Sequence, residues 1–177
     1  MPFQFVRTRV EIALATAVWP DADVLVLPTN DCLWMAAGPA LDVKKAAGAE
    51  VELSAVRMGP IPIGENVVTG AGSLPLAGII HAAVMGQDLQ VKDDGAASAI
   101  RGSLETAVQK RWVRVLIHSL LATGHRTRPE TLRSVIGSLV DSLLEGSPLR
   151  EVTLLAADQT ERTILHEAVL HNIQGHR

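Results

Sequence analysis

The stretch DVLVLPTNDCLWMAAGPALDVKKAAG, residues Asp23–Gly48, decides how the rest of the chain is read. Val24 to Leu27 is an unbroken apolar run rich in branched side chains, the composition of a strand buried on both faces of a sheet. Pro28, Thr29 and Asn30 are expected to stop it. Three small residues follow, Ala36, Ala37 and Gly38, and then Pro39, which suits the first turn of a helix because its missing N–H has no intrahelical partner there. Gly48 is the expected terminator of that helix. A strand ending in a small-residue loop at a helix N-terminus brings free amides and the positive end of the helix dipole to one point, the ingredients of a phosphate site.

Outward from this stretch the pattern alternates. Phe3 to Leu14 sets Phe3, Phe5, Val10, Ile12 and Leu14 against polar neighbours, which predicts one or two strands with a solvated face. Ala49 to Ile63, with Pro60 and Pro62, reads as an irregular connection. Gly64 to Met85 reads as two strands around a Gly-rich turn. Ala96 to Lys110 carries Ile100, Leu104 and Val108 at helical spacing, and Val113 to Leu121 is another buried strand. Pro129 opens a helix through Leu144, Val152 to Ala157 forms a last strand, and Glu161 to Ile173 a last helix. The sum is an α/β chain with helices on both faces of a mixed, mostly parallel central sheet, a three-layer α/β/α arrangement. Ligands of such sheets collect at the carboxyl ends of the strands, where the loops after Leu27 and after Leu121 both lie.

The residues of the first loop resemble the first ligand loop of the macrodomain family, the ADP-ribose-binding fold. On the family pattern V-N-x-A-N-S-x-L-x-x-G-G-G-V-A-x-A-I-x-x-x-A-G, the match runs without a gap from Val26 to Gly48, with Asn30, Leu33, Gly38, Ala40, Ala47 and Gly48 in agreement. A second stretch, GENVVTGAGSLPLAGIIHAAVM (Gly64 to Met85), follows the family's G-E-A-x-x-T-x-G-x-x-L-P-x-x-x-I-I-H-x-V through Gly64, Glu65, Thr69, Leu74, Pro75 and Ile79 to His81, with Gly72 one residue from the pattern's glycine. Thr123, Gly124 and Pro129 keep the spacing of the family's second phosphate loop. The resemblance implies a divergent macrodomain over residues 1–177, one domain, whose ligand is ADP-ribose or a related nucleotide. It implies Asn30, Ala37, Gly38, Ala40, Thr123, Gly124, His125 and Arg126 as the ligand-binding residues.

The departures from the pattern bear on activity. Ala40 stands where macrodomains that hydrolyse ADP-ribosyl esters often carry an aspartate, and a methyl group neither accepts a proton nor holds a water. Loss of a general base removes on the order of 10² to 10⁴ in rate. Asn30 and Asp31 are the candidate catalytic residues if chemistry remains, Asp31 as a replacement base. Asp42, about 200° around the helix from Ala40, is expected in solvent. Pro39 removes one amide from the phosphate loop, while His125, Arg126 and Arg128 bring positive charge to the facing loop. The acid that receives the adenine amino group in macrodomains is not visible: Ala15 or Thr16 takes its place, with Glu11 and Asp21 the nearest acids. Lys44 and Lys45 are expected to be solvated. His81, inside an apolar strand, reads as a hydrogen-bonded structural histidine. Three readings stay open: a binding module for ADP-ribose, a hydrolase of ADP-ribosyl or O-acetyl-ADP-ribose bonds using Asp31 or the substrate's own phosphate, and an interaction protein that has kept the fold and lost the ligand.

Composition narrows the partners. The net charge of -3 over 177 residues gives no general field for nucleic acid, and aromatic residues at 3%, with no Tyr, leave few platforms for stacking bases. No run reaches membrane-spanning length, and the N-terminus carries no secretory pattern. One cysteine, Cys32, excludes an internal disulfide and suits a reducing cytoplasm. The six histidines show no metal-ligand spacing, so neither metal nor cofactor is expected. An ADP-ribosylated protein is the macromolecular partner that the resemblance implies.

Overall fold

The computed structural model describes residues 1–16, 18–120, 122–125 and 127–175. Seven strands form one sheet in the order β1 (Phe3–Phe5), β2 (Thr8–Leu14), β7 (Glu151–Ala156), β6 (Arg114–Ile117), β3 (Val24–Asn30), β5 (Gly78–Met85) and β4 (Asn66–Thr69). The five inner strands run parallel, and β1 and β4 pair antiparallel at the two edges. One face, with Val26, Ile80, Val115 and Val152, packs on α3 (Asp93–Gln109), α4 (Pro129–Leu144) and α5 (Gln159–Gly175). The other, with Leu25, Leu27, Ile79 and Leu116, packs on α1 (Gly38–Ala47) and α2 (Ala49–Val56). This is the α/β/α arrangement expected, with every residue of β3 and β5 buried.

Three expectations need correction. β3 does not stop at Leu27 but runs through Pro28 and Thr29 to Asn30, pairing Pro28 with Ala82 of β5. Val26 turns its carbonyl toward β6, where it accepts the His118 N–H at 3.0 Å, and Pro28 has the same parity. The missing N–H of Pro28 therefore points past the end of β6, where no ladder bond is lost. Residues 49–56 are a helix, not an irregular connection. Val51, Glu52 and Ala55 are its buried positions, at helical spacing, and it follows α1 after the single residue Gly48. β6 ends at Ile117, four residues before Leu121, because the chain leaves the sheet at His118, whose ring Nδ1 accepts the Ser119 N–H at 2.8 Å.

His81 is fully buried in β5. The Thr69 hydroxyl donates to the Gly70 carbonyl at 2.9 Å, so the 2.9 Å contact between Thr69 Oγ1 and His81 Nε2 is an N–H donation from the imidazole. This fixes the tautomer and leaves Nδ1 as a bare lone pair without a partner, less costly than a stranded N–H.

Candidate functional site at the carboxyl ends of β3 and β6

The loop from β3 to α1 is tied down at both ends. The Asn30 amide closes a ring with Trp34: its Nδ2–H donates to the Trp34 carbonyl at 2.9 Å, and its Oδ1 accepts the Trp34 N–H at 3.2 Å. Further on, the Met35 N–H donates to Glu52 Oε2 at 2.7 Å, so α2 anchors the loop through a carboxylate only 8% exposed. Lys44 completes that anchor, its Nζ 2.7 Å from Glu52 Oε1. Lys44 is thus not the solvated residue expected; a long-range partner on α2 claims it.

α1 begins with no side chain capping it and with Pro39 in its first turn. Its first intrahelical bond is Leu41 N–H to Ala37 carbonyl, at 3.3 Å. The amides of Gly38 and Ala40 therefore lack an intrahelical acceptor and stand at the positive end of the helix dipole. Gly38 has φ +56, and a Cβ there would lie 2.8 Å from the Ala122 carbonyl oxygen, so the first loop touches the second.

The second loop is held by hydroxyls. Thr123, 3% exposed, donates from Oγ1 to the Ser119 carbonyl at 2.8 Å, and Thr127 donates to the Thr123 carbonyl at 2.7 Å. The His125 N–H donates to the Leu89 carbonyl at 2.8 Å, joining this loop to the segment after β5.

Between the loops lies a cavity of about 150 Å³, walled by the end of β3 (Pro28, Thr29, Asn30), by Trp34 and residues 36–40, by Met85 and Leu89, and by residues 122–125. The expected Asn30, Ala37, Gly38, Ala40, Thr123, Gly124 and His125 all meet on this wall. Arg126 lies outside the described residues. Trp34, 49% exposed, stands at the mouth.

Asp31 does not line the cavity. Its carboxylate accepts the Gln87 amide at 2.6 Å, and the same Gln87 nitrogen lies 3.4 Å from Asn30 Oδ1. No carboxylate is on the described wall, and Asp42 is exposed on α1. Burial, then the charge and hydrogen bond of Asp31, push the Cys32 thiol up, which keeps it protonated and unreactive at neutral pH. Arg128 pairs with Asp93 at 3.5 Å rather than facing the cavity. Of the acids near the end of β2 in sequence, Glu11 pairs with Arg9, and Asp21 pairs with Arg114 at the amino end of β3, the end of the sheet away from the cavity. Among the described residues no group of three or more His, Cys, Asp or Glu side chains is placed to hold a metal ion, and no helix is long and apolar enough to cross a membrane.

Glu52 and Gln87, which hold the first loop and its neighbour, escaped the reading of the sequence. Their partners are 17 and 56 residues away, and only the fold reveals them.

A family model described as Macro domain matches residues 26–135, which include both loops. An uncharacterized protein of Aquifex aeolicus is 32% identical over 142 residues, 78% of this chain and 84% of that protein. A macro domain-containing protein of Caldanaerobacter subterraneus subsp. tengcongensis is 26% identical over 169 residues, 92% of this chain and 96% of that protein. A solved macrodomain mutant of Oceanobacillus iheyensis, with ADPR, aligns at a TM-score of 0.87 and 19% identity, covering 98% of both chains. The family match takes in more than half of the sequence, and this chain belongs to the macro domain family.

Proposed function

We propose that this chain binds ADP-ribose or a related ADP-ribosyl nucleotide in the cavity between its two loops, as a binding module. The observation that carries the reading is the meeting, at the carboxyl ends of β3 and β6, of an uncapped helix N-terminus with a second backbone loop held within contact of it. In this reading the Gly38 and Ala40 amides, beside Ala37, and the backbone of Thr123, Gly124 and His125 hold the diphosphate. Arg126 adds positive charge from the same loop. Asn30, which has one amide hydrogen left after its bond to Trp34, donates to a ribose hydroxyl. The ADPR held by the Oceanobacillus macrodomain supports the choice of ligand. An ADP-ribosylated protein in the cytoplasm is the partner that such a site serves.

Binding is favoured over hydrolysis because the described wall presents no carboxylate. Ala40 offers a methyl group, and Asp31 is turned to Gln87. A hydrolase reading has to rely on the phosphate of the substrate itself.

Isothermal titration calorimetry with ADP-ribose tests the proposal. The expected dissociation constant is on the order of micromolar, with Asn30→Ala weaker by about tenfold, equivalent to about 1.4 kcal/mol. Incubation with an ADP-ribosylated protein should release no ADP-ribose. Absence of heat at two temperatures would overturn the ligand, and turnover would replace the module with an enzyme.

A further inference from the structure

We infer that Glu161, which does not line the cavity, is the positioning residue of the second loop; its effect on ligand rests on the reading above, its effect on the loop does not.

Glu161 is 2% exposed and stands third in α5. Its own N–H donates to Asp158 Oδ1 at 2.8 Å, so Asp158 caps the helix. In a capping box the glutamate three residues beyond the cap reaches back to the cap residue's backbone N–H. Here the side chain goes elsewhere. Its Oε2 accepts the Ala157 N–H at 2.7 Å and the Ser119 Oγ–H at 2.6 Å. Ser119 is 1% exposed and lies two residues past the end of β6.

A carboxylate only accepts, so the Ser119 hydroxyl spends its proton on Glu161 and turns its lone pairs outward. One of them takes the Ala122 N–H at 3.0 Å. The carbonyl of the same serine takes the Thr123 hydroxyl at 2.8 Å. Ala122 and Thr123 are cavity wall, and Ala122 is the residue whose carbonyl touches Gly38. One buried carboxylate thus sets the direction of the Ser119 hydroxyl, and through it the bond to the Ala122 amide, and ties that loop to the loop after β7. Charge-assisted bonds of this kind are shorter and stronger than neutral ones, which suits a group that must hold backbone in place.

The test uses the full chain with Glu161→Leu, Glu161→Gln and Ser119→Ala, and with Thr8→Val as a control. Thr8 is a fully buried hydroxyl that donates to the Leu149 carbonyl at 2.7 Å, remote from the cavity. Amide hydrogen exchange of Ala122 and Thr123 is read by NMR without ligand, and ADP-ribose affinity by calorimetry. Glu161→Leu and Ser119→Ala are expected to speed exchange at both amides and to weaken ADP-ribose by about tenfold each, while the double variant is no weaker than either single one, as for residues acting through one path. Glu161→Gln, whose amide oxygen can stand where Oε2 stands, should restore both readouts. Thr8→Val should lower thermal stability and change neither.

Unchanged exchange at Ala122 and Thr123 in Glu161→Leu would overturn the inference. So would a loss of stability with affinity intact, as in the control. If Glu161→Leu does not fold, Ser119→Ala decides by the same measurements. If the parent protein binds no ADP-ribose, the ligand proposal fails by itself, and exchange alone decides whether Glu161 positions the loop.

Discussion

Gly124 stands at φ +71 with no space for a side chain: a Cβ there would lie 2.5 Å from the Leu89 carbonyl oxygen and 2.8 Å from the Met85 sulfur. The oxygen is the one that accepts the His125 N–H, so an added methyl would disturb both the backbone and the bond joining the two segments. Gly124→Ala is expected to destabilise the protein by about 1–3 kcal/mol, the usual range for a residue forced into a disfavoured backbone region. Denaturant midpoints measure this, and an unchanged midpoint would show that the loop can reshape. The wall positions of Gly38 and Gly124 were legible through the resemblance to the macrodomain loops, since backbone contact leaves its mark in a family pattern as a missing side chain. Asn30 was legible as a site residue but not as the clamp on Trp34, because an amide shows its polarity in the sequence and not its partner.

At the scale of the elements, α2 is where sequence reading failed. Pro60 and Pro62 mark the end of the segment, and in its eight-residue helix Val51, Leu53 and Ala55 alternate with polar residues while Glu52 takes a buried position, so the apolar pattern shows no helical period. Its contribution lies in Glu52, which holds Met35 and Lys44. Glu52→Ala leaves the Met35 N–H without its acceptor and is expected to cost about 1–3 kcal/mol. The same variant loosens the first loop, so exchange of the Met35 amide should quicken more than that of the β5 amides. Equal protection in variant and parent would assign the anchor to packing alone. The hairpin of β4 and β5, and the strand–loop–helix of β3 and α1, were legible because their partners are close in sequence. The sheet order was not, since nothing local tells β7 to lie between β2 and β6.

Across the whole molecule, burial holds the imidazoles of His81 and His118 well below the ordinary histidine range, at about 4 for each. The charge of Asp42 works in the opposite direction on His118, more weakly. The unfolded chain takes up these protons near pH 6.5, whereas the folded one resists until about 4. The stability from the two neutral rings is complete above pH 6.5 and drains as pH falls toward 4. At about 1.4 kcal/mol per tenfold difference in proton affinity, each ring accounts for roughly 3 kcal/mol. Unfolding free energies measured from pH 7.5 to 4.5 should fall steadily below 6.5, and His81→Gln should flatten the profile; a level curve in the parent would refute the assignment. The close approach of Gly38 to the Ala122 carbonyl reaches beyond stability. The cavity between the loops is about 150 Å³, while pockets that accept small ligands are usually about 300 to 1,000 Å³. For the proposed nucleotide to seat fully, the two loops would have to part, and the expected signature is slow association with slow release, read by stopped-flow mixing with ADP-ribose; association at the usual rate would show that the cavity admits its guest as it stands.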